Sequence, residues 1–282
     1  MKKILVEINK LNINQLDFFK SHFFLYPEIL ETIDQKLIIS LGIDPIKFDL
    51  FSDFCRLNSI DFVYLEKFSA PFKLCLFDMD STIISIECID ELADLFGKKY
   101  DVSKITELSM KGEIDFYKSF KQRLALLGGA HINLLDEVIT ERIRINPGVN
   151  RWMEYCQKNN ITTVLVSSGF SYFTDYLKKL LNIDYSYSNQ LMIKENILTG
   201  DIVGDIFGPK EKARIAEKYQ KELNITTNQT ITIGDGANDL LMMQKSSLSI
   251  GYQAKSIVKE KAFWNITYGN FNTITNFFDY LF

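Results

Sequence analysis

Phe72–Thr82 reads FKLCLFDMDST, an apolar run that stops abruptly at two aspartates and two hydroxyls. A short continuous apolar stretch bounded by polar residues is the pattern of a strand buried on both faces of a parallel sheet. Asp78 is then the first residue past the carboxyl end of that strand, and Asp80 stands two residues further into the loop. Ligands of open α/β sheets bind beyond the carboxyl ends of the strands. Two carboxylates this close repel one another unless they share a proton or a cation, and Mg²⁺ is a hard ion that takes oxygen ligands. Taken alone, the pair would serve equally well to cap the helix that follows.

The same pattern recurs downstream. ITTVLVS (161–167) and TITIG (230–234) are apolar runs followed by a Gly-containing turn and a helical pattern, and SLSIGY (247–252) adds another strand. Strands alternating with helices imply right-handed crossovers, so the expected fold is α/β, a Rossmann-like doubly wound parallel sheet. Between the first and second strands the alternation breaks. IDELADLFGKKY, VSKITELSMKGEI, FYKSFKQRLALL and LLDEVITERIR space apolar residues three and four apart, which predicts a helical insertion over about 85–145, closed by Asn146-Pro147-Gly148. Helices placed directly after a strand end form a candidate lid.

Residues 1–70 read as a separate small α/β domain, with strands at ILVEI, KLIISLGI and DFVYLE and helices at NQLDFFKSHFF and after Pro45. Ala70-Pro71 is the expected boundary, because the residue before a proline is pushed out of the helical region. The second unit is then 71–282, with the insertion inside it.

Each further strand end carries polar chemistry. TITIG runs into Asp235, with Asn238 and Asp239 just beyond, and ITTVLV into Ser167-Ser168-Gly169. A hydroxyl and helix-terminal amides suit an anion. GPKEKARIA (208–216) puts Lys210 and Lys212 at the start of a helix, where the dipole disfavours a lysine unless it serves a bound anion. Any one of these has an ordinary explanation as a cap or a solvated charge. Aspartates at two strand ends, a hydroxyl at a third and a lysine after them rarely meet through packing alone.

The balance of the chain narrows the class. A net charge of −4 leaves no electrostatic footprint for nucleic acid. No apolar stretch approaches the roughly 18 residues of a membrane helix, and Glu7 and Lys10 interrupt the amino terminus before it resembles a signal peptide. Cys55, Cys75, Cys88 and Cys156 are scattered without a Cys-x-x-Cys pair, which suits reduced thiols in a cytoplasmic protein. His22 and His131 fall in no motif and are expected to be structural or surface residues.

With these residues in place, the region from about 72 to 282 resembles the haloacid dehalogenase superfamily of phosphohydrolases. Asp78-Met79-Asp80-Ser81-Thr82 matches its first motif, Ser167 its second, Lys212 its third and Gly234-Asp235-Gly236-Ala237-Asn238-Asp239 its fourth. Within the superfamily the combination points to the phosphoserine phosphatases. The resemblance implies Asp78 as nucleophile, Asp80 as general acid and base, and Ser167, Lys212 and Asn238 on the phosphate. It also implies one Mg²⁺ on Asp78, the Asp80 carbonyl and Asp235, with Asp239 in support. In the insertion, Glu87 matches the family residue that meets the substrate amine and Arg123 the one that meets the carboxylate, while Met110 and Phe116 match apolar lid contacts. Without the resemblance these four read as a solvated helix face and a bundle core.

Two departures stand out. Ser168 occupies a place where the family commonly has glycine, so it either crowds a backbone contact or adds a hydroxyl. Ala254-Lys255-Ser256 replaces the usual Ala-Lys-Pro, a change expected mainly to loosen a helix start. The amino-terminal unit lies where relatives carry an ACT-type regulatory domain, and its element order is compatible with a degenerate version or with a packing or homodimerising module. Expected partners are a small phosphomonoester, with no nucleic acid and no membrane. Other readings stay open at this point: phosphothreonine or phosphohomoserine as substrate, phosphotransfer to an alcohol, or a catalytically weak regulatory protein that binds an amino acid or phosphate. A receiver domain is disfavoured by the helical insertion.

Overall fold

Leu74–Phe77 forms a strand (β5) whose four side chains are fully buried, because parallel neighbours flank it and helices cover both faces. The computed structural model describes residues 3–8, 13–23, 28–33, 36–42, 47–65, 71–110 and 113–281. Ahead of β5 come β1 (Lys3–Ile8), α1 (Ile13–Phe23), β2 (Glu28–Ile33), β3 (Lys36–Gly42), α2 (Phe48–Leu57) and β4 (Asp61–Leu65). Their strands make an antiparallel sheet in the order β2-β3-β1-β4. β2 is absent from the sequence reading, since Glu28 and Glu31 dilute its pattern. Ala70 lies outside the described residues.

After β5 the chain enters a cap of α3 (Cys88–Leu95), α4 (Lys99–Met110), α5 (Phe116–Ala125) and α6 (Asn133–Glu137), the last continued by a wider turn over Val138–Arg142. It then runs through α7 (Val149–Lys158), β6 (Thr162–Phe170), α8 (Ser171–Leu181), β7 (Tyr185–Lys194), β8 (Ile197–Val203), α9 (Pro209–Glu222) and β9 (Thr230–Gly234). α10 (Leu240–Met243), β10 (Leu248–Tyr252), α11 (Ser256–Lys259), β11 (Trp264–Ile266) and α12 (Phe271–Leu281) complete it.

The seven-stranded sheet has the order β11-β10-β9-β5-β6-β7-β8. The chain leaves β5 toward β6 on one side and later returns through β9 on the other, so the topological switch point lies at the carboxyl end of β5, directly over Asp78. The sheet is not wholly parallel. β8 turns back antiparallel on β7 through Glu195 and Asn196, both at positive φ (50° and 64°), as a type I′ hairpin requires.

The crossings into and out of the cap are tied together. Ile84 and Ile145 form an isolated antiparallel bridge, Ser85 N–H donates to Arg144 O at 3.0 Å, and Asn146 N–H to Ile83 O at 2.9 Å. Just below, Gly148 starts α7 at φ +88°, and a Cβ there would run into the backbone of Asn272. Only glycine satisfies both demands. The amino-terminal sheet meets the larger one where Asp61, 6% exposed, accepts the backbone N–H groups of Thr267, Tyr268 and Gly269 at 2.7–3.0 Å. All four cysteines are buried and unbonded, and among the described residues no helix is long and apolar enough to cross a membrane.

Candidate active site

At the switch point the chain makes an unusual loop. Asp78 is extended and its Oδ1 accepts the Met79 N–H at 2.7 Å, Asp80 is extended, and Ser81 turns left-handed at φ 54°. A serine at positive φ carries backbone strain of about 1–3 kcal/mol, held here by its surroundings. Ser81 N–H donates to Ile86 O at 3.1 Å, and its hydroxyl donates to Glu87 Oε1 at 2.7 Å. The twist aims Asp80 across the cavity floor, where Oδ1 accepts the Cys88 N–H at 3.0 Å.

Lys212 is wholly buried. Its ammonium lies 2.8 Å from Asp78 Oδ1 and 2.8 Å from Asp239 Oδ1, whereas Lys210, two residues earlier, is exposed. Pro209 at the first helical position and the Gly208 N–H bonded to Glu211 Oε2 at 3.1 Å start α9 so that Lys212 points inward. Asp239 accepts the N–H groups of Asp235 and Gly236 on its other oxygen at 3.2 and 3.1 Å, lying so close over Gly234 that any side chain there would meet it. Asp239 is thus committed to Lys212 and the turn. Asp78 is committed through Oδ1 alone, to Lys212 and the Met79 N–H, while its Oδ2 meets only Asn238 Nδ2 at 3.4 Å. Asp235 is held loosely on both oxygens, with Thr82 Oγ1 at 3.4 Å from Oδ1 and Lys255 Nζ at 3.6 Å from Oδ2.

Carboxylate oxygens of Asp78, Asp235 and Asp239 all lie within 4.8 Å of one another, buried. Burial, then the Asp239 charge, push Asp78 well above the ordinary carboxylate range against the pull of Lys212. Burial and Asp239 likewise raise Asp235 to about 7. Burial pulls the Lys212 ammonium down, but Asp239 and Asp78 outweigh it and hold it above its ordinary value. Three buried carboxylates against one buried ammonium leave excess negative charge, and Asp78 Oδ2 with the Asp235 carboxylate are loosely held and offer hard oxygen donors. That donor set fits a small divalent cation. The side chain of Asp80 lies outside the acidic cluster, so only its backbone could join such a site. Burial and the Glu87 charge raise the Asp80 carboxyl to about 7.

Above the cluster is a cavity of about 610 Å³, walled by the core and the cap. Asp78, Asp80, Ser167, Ser168, Asp235 and Asn238 line it from below, and Glu87, Phe116 and Arg123 from the cap. Met110 ends α4, and its side chain lies outside the described part. Ser167 is fully buried and its Oγ accepts the Gly169 N–H at 2.9 Å, which leaves its own hydrogen free to donate. Ser168 adds a hydroxyl that is buried without a partner, so the extra group is a donor at the cavity wall. Asn189 Nδ2 donates to Ser168 O at 2.8 Å while its Oδ1 accepts Phe207 N–H at 2.7 Å, fixing this turn beside the start of α9. His22 and His131 are exposed and away from the cavity.

Three contributors escaped the sequence reading. Lys255, given no role in the sequence reading, which noted only the change to Ser256 beside it, lines the cavity and pairs with Asp235 at 3.6 Å. Asp90, in the first turn of α3 that Glu87 precedes, faces Arg123; burial raises its carboxyl while Arg123 opposes the rise. Burial also lowers the Arg123 guanidinium, against Asp90 and Glu87. Ser119 is the third. Only the helical spacing of Ser119 and Asp90 from their better-known neighbours carried a signal.

The haloacid dehalogenase-like hydrolase family matches residues 72–246. A phosphoserine phosphatase from Polaromonas sp. (strain JS666 / ATCC BAA-500) is 45% identical over 210 residues, 73% of this chain and 89% of the relative. The chain belongs to the haloacid dehalogenase-like hydrolases, in their phosphoserine phosphatase branch. The phosphatase resembles in full length a solved HAD family hydrolase from Salmonella enterica subsp. enterica serovar Typhi, at TM-score 0.87, 28% identity and 97% of both chains. It also matches a phospho-aspartyl intermediate analogue of phosphoserine phosphatase at TM-score 0.69 and 35% identity, over 74% of this phosphatase and 99% of that structure.

Proposed function

We propose that this phosphatase hydrolyses L-phosphoserine to serine and phosphate through an aspartyl-phosphate on Asp78. The observation that carries the reading is that a buried carboxylate paired to Lys212, an acid raised to about 7 and a cap bearing both an anion and a cation share one cavity. A carboxylate oxygen of Asp78 attacks phosphorus, and the bond from phosphorus to the serine oxygen breaks. Asp80, protonated at the outset, gives its proton to the departing alkoxide. Serine leaves, Asp80 takes a proton from water as that water attacks the phosphorus, and the acyl phosphate bond breaks to free Asp78 and phosphate. A carboxyl raised to about 7 can hold a proton in the first half and accept one in the second.

Lys212 and Ser167 hold the non-bridging oxygens, and Asn238 keeps Asp78 in place. Mg²⁺, when held by Asp78, Asp235 and the Asp80 carbonyl, supplies positive charge against the phosphoryl oxygens. Glu87 meets the substrate ammonium and Arg123 its carboxylate, with Phe116 closing the apolar side. The test is phosphate release from L-phosphoserine, phosphothreonine and phosphoethanolamine, with Mg²⁺ and with chelator. Metal-dependent turnover favouring L-phosphoserine over phosphoethanolamine by at least about tenfold in kcat/KM is expected from one lost charged hydrogen bond. Equal turnover of phosphoethanolamine would sink the substrate assignment, and undiminished turnover by Asp78→Asn the chemistry.

A further inference from the structure

Ser119 lies on α5 one turn before Arg123, and its side chain behaves unlike other helical hydroxyls of this chain. Ser103, Thr106 and Thr275 each turn back to a carbonyl three or four residues earlier, at 2.9, 3.2 and 3.1 Å. That is the usual way a helical Ser or Thr satisfies its hydroxyl. Ser119 does not. It is 1% exposed, its Oγ has no hydrogen-bond partner, and it lines the cavity. A buried, unpaired hydroxyl destabilises the ligand-free protein by about 1–3 kcal/mol, so its presence needs a reason.

The neighbour supplies one. Residues four apart on a helix stand side by side on the same face. Arg123 Nε is also buried without a partner and lines the same cavity. Two adjacent donors, one an N–H and one an O–H, thus lack an acceptor on residues that line the cavity. Asp90 faces Arg123 from α3 without closing an ion pair, so it keeps the guanidinium charged while leaving Nε open. Phe116 and Phe120 flank the pair and limit water, which strengthens a hydrogen bond made there.

We infer that Ser119 is a specificity-determining residue: its hydroxyl and the Arg123 guanidinium together form a two-donor subsite for the substrate carboxylate. The inference rests on the phosphoserine reading above. Ser119 binds both oxygens' worth of charge only in company with Arg123, so it discriminates amino acid phosphates from amine phosphates and takes no part in the chemical step.

The experiment compares wild type and Ser119→Ala on L-phosphoserine and on phosphoethanolamine, which lacks the carboxylate, and melts both proteins without ligand. Alanine favours the helix and removes an unsatisfied group, so the variant melts at the wild-type temperature or above it. KM for L-phosphoserine rises about tenfold with kcat nearly constant, while both constants for phosphoethanolamine hold within about twofold, as loss of one hydrogen bond to a charged group predicts. Equal losses on both esters, or a lowered melting temperature with parallel losses, would overturn the inference and make the hydroxyl structural. An unchanged KM for L-phosphoserine in a wild-type background that discriminates the two esters would overturn this inference alone. A wild type that takes both esters equally would overturn the phosphoserine reading and this inference with it.

Discussion

Lys212→Met removes the ammonium that Asp78 and Asp239 share, at 2.8 Å each, in a place with no exposure to water. Methionine keeps the length and the apolar stem, so the change isolates the charge. An orphaned buried carboxylate can escape by taking a proton, which sets a ceiling on the damage. At pH 7, neutralising a group whose unfolded pKa is about 3.9 costs about 4 kcal/mol, and breaking a buried pair typically costs about 3–5 kcal/mol. Asp78 already stands well above the ordinary range against the pull of Lys212, and loses that pull in the variant. A chain of this size loses about 2–4 °C per kcal/mol, so the variant melts roughly 6–20 °C below wild type at pH 7 in chelator.

The ceiling depends on pH in a definite direction. The variant's carboxylates bind protons more tightly than those of the wild type, so its relative stability recovers as pH falls. At pH 5 the same proton costs only about 1.5 kcal/mol, and the deficit should shrink to less than half. Thermal melts of both proteins at pH 7 and pH 5 read this directly, with phosphate release as the companion assay. A deficit below about 2 °C at pH 7, or one that grows on acidification, would refute the claim that Lys212 neutralises this pair.

Metal binding and pH are linked through Asp235, which must lose its proton to serve as a ligand; with its carboxyl at about 7, the thermal upshift caused by Mg²⁺ is expected to be larger at pH 8 than at pH 6 and to vanish in Asp235→Asn. Equal upshifts at both pH values would argue that the ion sits elsewhere. Without metal, Asp80 and Asp235 hold protons more tightly folded than unfolded, so their contribution is fully present below about pH 4 and is lost as pH rises through about 7. Urea melts in chelator across that window check the sign. Asp61→Ala strips three backbone N–H groups of their acceptor where the two sheets meet; it should destabilise that junction by about 2–3 kcal/mol and quicken limited proteolysis while leaving kcat unchanged. A cleavage rate equal to that of wild type would show that other contacts hold the junction.

The part of the fold that was legible is the part where burial on both faces writes an unbroken apolar run. LCLF, TITIG and LSIGY announce themselves because no side chain in them reaches water. The β7–β8 hairpin did not, because YSYSNQLMIK is polar along much of its length and lies toward the sheet edge, where half-buried serines and an exposed lysine carry no penalty. Its one local signal was Asn196 at the turn. β11 is three residues long and too short to show a period. Among site residues, those at strand ends were readable because topology alone delivers them to the switch point. Asp90 and Ser119 reach the cavity through the packing of the cap on the core and Lys255 through the loop after β10, so at most a helical spacing hints at the first two and nothing in the neighbouring sequence hints at the third.

The bridge between Ile84 and Ile145 has a consequence for how the lid can travel. Two independent tethers would allow the cap to twist, slide or splay. Fastened to one another at the base, they act as a single ribbon, so any tilt of the cap would turn about one line like the leaf of a hinge. Arg123 and Ser119, carried on one helix, would keep their spacing from one another through such a tilt. The knot at the base also absorbs the closure of the long insertion, an entropic cost of about 3–4 kcal/mol for a loop of that length, before the core is asked to hold its shape. From the core's side the cap is a pair of adjacent chain ends, and helices beyond them can change length or tilt without moving the aspartates below.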